Sequence, residues 1–375
     1  MRILQIVNSL THTSIPIEMA CEMMKTEDVE IAALYNSQTE ADEFANKMGV
    51  QCKIYGFGYK YNKLKGISEY IRFLRGCSYN IIHTHHSLSG TIARIFCYKK
   101  KNIKLVHTVH ANYHSYSKIQ NLLIGSTLNR TDAIVFNSKS SQEGLYNWEK
   151  EKLRKIKQTI IYNGVNITRI QSNNTNLWKQ ICHQNMINDD DIVFAQIGRL
   201  EKVKNPWGSL KGFEELCEKE TIASKKVFFI YIGDGSERND MEQYVHQSKV
   251  LKERVIFTGT LPRDTVYDFF TRIDMLIIPS FYEGFCNTLI EGLVAGVPTI
   301  ISDIDVFKEI IPKEYKISRF NPNDYKNIAA CMVNNVITTK KNNRKHEREY
   351  WIDRFVLQNT VNSYLELFNS LIYID

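Results

Sequence analysis

Short apolar runs alternate with longer segments of helical spacing along the whole chain. In the first half the runs are residues 3–7, 30–34, 80–84, 104–109, 132–136 and 159–162. In the second half they are 192–197, 227–232, 255–258, 275–279 and 297–302. This alternation restricts the chain to βαβ units, in which each strand feeds a crossover helix and pairs in parallel. A length of 375 residues exceeds what one ordinary core holds, so each half is expected to form its own α/β domain. The turn sequence Tyr162-Asn163-Gly164-Val165-Asn166 and the polar run 172–176 put the linker near 163–176. The expected divisions are 1–165, 166–350 and a helix over 351–375 that returns to the first domain. That helix carries a stripe of Phe355, Val361, Leu365, Phe368 and Leu371.

Composition narrows the class. The chain is 43% hydrophobic and 24% charged, as soluble globular proteins are. It lacks a run of about 18 apolar residues, the length a membrane-spanning helix needs. The opening M-R-I-L-Q-I-V-N-S-L has no cleavage-type ending and reads as a first strand. None of the eight cysteines forms a C-x-x-C pair, so reduced thiols and a cytoplasmic location are expected. Charge is uneven. Residues 1–165 carry 22 Lys+Arg against 13 Asp+Glu, a net of +9, and the remainder, 26 against 28, a net of −2. The basic clusters at Lys99-Lys100-Lys101 with Lys104, and at 150–157, suit peripheral contact with an anionic membrane on its inner face. There is no basic stripe interleaved with aromatics, which argues against a nucleic-acid partner.

Ligands of doubly wound sheets bind beyond the carboxyl ends of the strands, and two such domains facing each other would make a cleft there. The notable motifs all follow strands. After 192–197 come Gly198, Arg199, Leu200, Lys204 and Asn205. A guanidinium fork and an ammonium five residues apart can converge on one diphosphate, or simply form an exposed basic loop. Gly233-Asp234-Gly235 reads as a tight turn, and Gly259-Thr260-Leu261-Pro262 offers backbone to a base edge. The segment from Pro279 to Asp303 is the most specific. Glu283 and Glu291 flank Gly284, Phe285, Asn287, Thr288 and Leu289, where a helix begins that ends at Gly296. Free N–H groups at a helix start take phosphates, and the carboxylates accept hydrogen bonds from hydroxyls. Asp303-Ile304-Asp305 is read as helix capping and not as a metal motif. In the first half, His83, His85, His86, His107, His110 and His114 crowd one stretch. A metal cluster is one reading, without an acidic ligand beside it; satisfied structural roles are the other. His85 and His86 follow the 80–84 strand, where they either face the acceptor or, at least as readily, fill satisfied structural roles.

Taken together, G-R-L-x-x-x-K-N, I-G-D-G, F-T-G-x-L-P and E-G-F-x-x-x-x-x-E, in this order and spacing, resemble the retaining glycosyltransferases of family 4. Y-N-G-V-N and V-H-T-V-H extend the resemblance over nearly the whole chain. It implies the GT-B fold, two Rossmann-like domains with the nucleotide sugar held mostly by the second and the acceptor mostly by the first. It also implies roles: Arg199 and Lys204 on the donor diphosphate, Glu283 on hydroxyls of the transferred sugar, Glu291 on the ribose, and His110 near the anomeric carbon. The amides of Asn287, Thr288 and Leu289 would cap the phosphates. Gly198, Asn205, Gly233, Thr260, Leu261, Gly284 and Phe285 complete the implied substrate-binding set. No cofactor and no metal are expected, because the two cations neutralise the leaving diphosphate. The expected donor is a UDP-hexose or UDP-N-acetylhexosamine, and the acceptor a lipid-linked saccharide of bacterial O-antigen or capsule synthesis. A transferase acting on a soluble small molecule, or a noncatalytic sugar-nucleotide-binding subunit, are the alternatives. Three departures stand out. The loop Ser9-Leu10-Thr11-His12-Thr13-Ser14-Ile15-Pro16 lacks the family's Gly-Gly, Cys286 stands where glycine is common, and the loop after Asp303 lacks the usual glycine.

Overall fold

The computed structural model describes residues 1–11, 14–110, 117–170, 176–219, 226–338 and 344–373, with side chains of 337–347 left aside. His12, Thr13, His114 and residues 171–175 of the expected linker lie outside the described residues. The chain divides into two compact units. One is Met1–Gly164 with Leu357–Asp375, and the other is Val165–Val356.

The first unit contains β1 (Arg2–Val7), β2 (Asp28–Ala33), β3 (Ile54–Gly56), β4 (Ile81–Thr84), β5 (Lys104–Val109), β6 (Ala133–Phe136) and β7 (Lys157–Ile160). They form one sheet in the order β3-β2-β1-β4-β5-β6-β7, and its pairs are parallel. Alternate side chains along each strand enter different cores, as the two-residue period requires. Ile3, Ile31, Ile81 and Val106 pack against the helices Ile15–Met23 and Leu357–Ile372. Leu4, Ile6, Ile82 and Leu105 pack with Tyr70 and Leu74 of helix Lys63–Gly76 and Ala93 and Cys97 of helix Ser87–Cys97.

The second unit contains β8 (Ile192–Ile197), β9 (Val227–Ile232), β10 (Val255–Gly259), β11 (Met275–Ile278), β12 (Thr299–Ser302) and β13 (Arg319–Phe320). Its order is β10-β9-β8-β11-β12-β13, again with parallel pairs. Strand β9, V-F-F-I-Y-I, is buried at every position, as a central parallel strand covered on both faces must be. In each unit the chain builds outward from its first strand, then reverses. The reversal falls between β1 and β4, and between β8 and β11. Ligands of doubly wound sheets bind at such reversals.

Two expectations need correction, and two strands went unread. The tail is two helices, Arg344–Phe355 and Leu357–Ile372, interrupted at Val356, which bridges to Val165. Phe355 therefore leaves the expected stripe and packs on Phe285 and Trp351 in the second unit, while Val361, Phe368 and Leu371 enter the first unit's core. Asp303 and Asp305 do not cap the helix Asp305–Ile310. Its N-cap is Ile304, and both carboxylates face Lys308, at 3.3 and 3.6 Å. Strands β3 and β13 escaped the reading because three- and two-residue edge strands carry too few apolar positions to show a period.

Candidate functional site

The loops that leave β8 and β11 meet at the second unit's reversal. Gly198 exits β8 at φ 141°, and a Cβ placed on Gly233, which exits β9, would lie 2.0 Å from the Gly198 carbonyl oxygen. Only glycine lets these two turns sit side by side. The loop then makes a short 3₁₀ turn, Lys202–Lys204, and Asn205 adopts left-handed backbone at φ 51° to start the helix Pro206–Glu218. The Asn205 side chain accepts the Gly208 N–H, and its amide donates to the carbonyls of Pro279 (3.1 Å) and Pro322 (2.8 Å). It is thus consumed inside the fold. It positions the neighbouring Lys204, and this replaces the expected place of its side chain among the substrate ligands.

Lys204 Nζ lies 2.6 Å from Glu283 Oε1, and Ser280 Oγ donates to the same oxygen at 2.7 Å. Phe281 N–H donates to the Val203 carbonyl and zips the two loops together. Burial alone would lower the Lys204 pKa; the Glu283 carboxylate outweighs that effect and holds it above its ordinary value. Arg199 stands exposed in the same loop. Two expected residues, a diphosphate cation and a sugar carboxylate, are therefore direct partners.

The helix Asn287–Ala295 begins beyond Cys286, whose φ of 69° explains why glycine suits this position. The Leu289 N–H, expected on a phosphate, donates to the Cys286 carbonyl at 3.1 Å instead. Phe285 is buried with its ring against Phe355, so its side chain serves the core. One turn along the helix, the buried carboxylate of Glu291 forms an ion pair with Arg263 and accepts from the Tyr267 hydroxyl at 3.3 Å. The Arg263 guanidinium lies over the Tyr267 ring, 5.6 Å from its centroid. Sequence reasoning missed Arg263, although it opens the helix Arg263–Phe270 directly after exposed Thr260 and half-buried Leu261. Gly233-Asp234-Gly235 is braced internally, since Asp234 accepts from the Gly235 N–H and from Arg238.

The first unit's histidines split between the two faces of its sheet. His107, on one face, shares Nδ1 with Thr84 and with the buried Arg94. On the other, His83 bonds Thr108, which bonds Tyr364 of the C-terminal helix. His85 Nε2 meets Gln5 Oε1 at 2.7 Å, and His85 Nδ1 meets His110 Nε2 at 2.9 Å. His85 is thus buried in a network, the structural role of its two readings, and does not present its ring to an acceptor. The half-buried His86 receives the Asn8 N–H. Burial lowers the pKa of His83, His85, His86 and His107, and takes that of His110 down to about 3, so all are neutral near pH 7. Among the described residues, no group of three or more His, Cys, Asp or Glu is arranged to hold a metal ion. Likewise none of the described helices is long and apolar enough to cross a membrane.

Comparison with known proteins agrees with this architecture. Residues 28–169 match the family model Glycosyltransferase Family 4, and residues 179–350 match Glycosyl transferases group 1. The O-antigen biosynthesis glycosyltransferase WclY of Escherichia coli is 27% identical over 93% of this chain and 92% of its own length. The Escherichia coli UDP-Gal:alpha-D-GlcNAc-diphosphoundecaprenol alpha-1,3-galactosyltransferase is 25% identical over 72% of this chain and 70% of its own. Among solved structures, Anabaena Alr3699/HepE in complex with UDP superposes with a TM-score of 0.77 at 15% identity, over 99% of this chain and 100% of that one, which shows a shared fold. With both halves matched and the two doubly wound sheets in place, the chain belongs to the GT-B glycosyltransferases that these two family models describe.

Proposed function

We propose that this glycosyltransferase moves a hexose or N-acetylhexosamine from a UDP-sugar to a hydroxyl of a lipid-linked saccharide during synthesis of a bacterial surface polysaccharide. It does so with retention of configuration and without a metal. The observation that carries the donor half is the Lys204–Glu283 pair beside Arg199, in the two loops flanking the β8/β11 reversal. Arg199 and Lys204 neutralise the diphosphate, supported by the Asn287 and Thr288 amides at the helix start. Glu283 accepts a hydroxyl of the sugar, and Glu291, steadied by Arg263, accepts the ribose. His110 meets a sugar hydroxyl of the substrates. The bond from the anomeric carbon to the phosphate oxygen breaks as the acceptor oxygen bonds to the same face, and the leaving phosphate takes the acceptor's proton. Glu283 is already tied to Lys204 and Ser280, which suits a hydroxyl-positioning carboxylate better than a nucleophile. Stabilisation of charge on the departing diphosphate supplies most of the acceleration.

The acceptor class is supported by the relatives' names, an O-antigen glycosyltransferase and a diphosphoundecaprenol-linked galactosyltransferase. Contact with an anionic membrane is supported by the basic first half and by exposed Ile119 and Leu122 on helix Lys118–Thr127, with Trp148 alongside. The test is incubation with a panel of UDP-sugars and diphosphoundecaprenol-linked GlcNAc, in EDTA, read by mass spectrometry and by NMR of the new linkage. An α-linked, hexose-extended lipid supports the reading. Transfer only to water-soluble acceptors, or a β-linkage from an α-linked donor, overturns it.

A further inference from the structure

At the first unit's reversal, three polar side chains from adjacent strands form a line that ends at His110. Gln5 lies on β1, His85 directly follows β4, and His110 directly follows β5. Gln5 and His85 are fully or almost fully buried. The Gln5 amide nitrogen faces the sulfur of Met23 at 3.4 Å, which turns its oxygen toward His85. That oxygen can only accept, so His85 Nε2 carries the ring proton. His85 Nδ1 must then accept, and the proton between the two rings belongs to His110 Nε2. The remaining His110 nitrogen, Nδ1, is left as an acceptor. The His83 ring, 4.0 Å from that of His85 between centroids, packs in turn on Tyr364 and Phe368, so the middle member of the line is held by the core.

We propose that Gln5 and His85 are positioning residues for sugar transfer. Their relay locks His110 as the Nε2–H tautomer, so that it meets a substrate hydroxyl through Nδ1, as an acceptor. This deepens the reading above and rests on His110 contacting substrate. The relay fixes which hydrogen-bonding role His110 has before substrate arrives, as the orienting carboxylate of a catalytic triad fixes its histidine. A histidine free to exchange tautomers would offer the wrong one for part of the time.

Two measurements test the relay. In the intact protein labelled with ¹⁵N-histidine, both His85 and His110 are expected as Nε2–H tautomers, identified by the signals lost in His85→Gln and His110→Gln. An Nδ1–H or averaged signal for His110 overturns the proposal. In kinetics, Gln5→Leu and His85→Leu are expected to lower kcat at least roughly tenfold with donor KM unchanged, the signature of a misoriented group. His85→Gln, which still donates to Gln5 and accepts from His110, should restore most of the loss. If a leucine variant does not fold, the tautomer spectrum and the glutamine variant decide. Wild-type turnover in His110→Gln overturns the reading on which the relay rests. Lost turnover there, with wild-type turnover in folded His85→Leu, overturns the relay alone.

Discussion

Lys204 and Glu283 lie 79 residues apart in sequence and meet in a 2.6 Å ion pair where the second unit's sheet reverses. The pair joins the loop after β8 to the loop after β11, and Ser280 and the Phe281–Val203 backbone bond hold the same junction. Neither side chain is freely solvated; Glu283 is 8% exposed and Lys204 24%. A double-mutant cycle with Lys204→Ala and Glu283→Ala should therefore show a coupling of about 1–3 kcal/mol in unfolding free energy. Denaturant titration of the four proteins measures it, and additive effects would mean the pair is incidental.

Arg263 gives a second expectation. Its guanidinium pairs with Glu291, and the side chains are 9% and 8% exposed. Removing one partner strands a charge in low dielectric, so Arg263→Ala should destabilise by about 3–5 kcal/mol. Arg263→Ala/Glu291→Gln, which leaves no carboxylate charge behind, should recover much of that stability. Thermal unfolding checks the first effect, and UDP affinity, expected to stay reduced in both variants, checks the ribose role.

The buried histidines make the first unit acid-sensitive. Their folded pKa values lie below the unfolded value near 6.5, that of His110 at about 3. Between those limits the unfolded chain binds more protons than the folded one, so stability rises with pH across the window. It is complete above pH 6.5 and falls on acidification, by up to about 1.4 kcal/mol per pH unit for each fully buried histidine. Unfolding midpoints in urea from pH 7.5 to 5 should drop steeply. A flat profile would contradict neutral, buried rings.

Glu149 acts in the opposite direction. One oxygen caps its own helix through the Tyr146 N–H, and the other is buried so close to Gly125 that a Cβ there would lie 2.1 Å away. Burial raises its pKa to about 7. Between the unfolded value near 4.5 and pH 7 the folded chain binds the extra proton, so this carboxyl costs stability as pH rises. Glu149→Gln should gain in relative melting temperature from pH 5 to pH 8. A constant difference would show that the carboxyl does not titrate in the fold.

Much of this could be read from the residues because parallel strands buried on both faces are nearly continuous apolar runs. That signal located β8, β9 and β5 at their observed ends. Strand-end placement then brought Arg199, Lys204, Glu283 and Glu291 to one end of one sheet. What stayed hidden depended on partners distant in sequence. Asn205 looks like a polar loop residue until its amide reaches Pro279 and Pro322. Phe285 reads as part of the motif until its ring meets Phe355. Arg263 gave no signal beyond its place at a helix start. The histidine cluster left metal binding open, because spacing alone does not tell a ligand set from rings bonded to Gln5, Thr108 and Thr84.

The central claim is that Arg199 and Lys204 hold the donor diphosphate without a metal. Calorimetric titration of UDP into the wild type, Arg199→Ala and Lys204→Ala, all in EDTA, tests it most directly. The wild type should bind in EDTA, and each variant should lose roughly 10- to 100-fold in affinity, the worth of a charge-assisted hydrogen bond. Unchanged affinity in both variants, or loss of wild-type binding in EDTA, would contradict it.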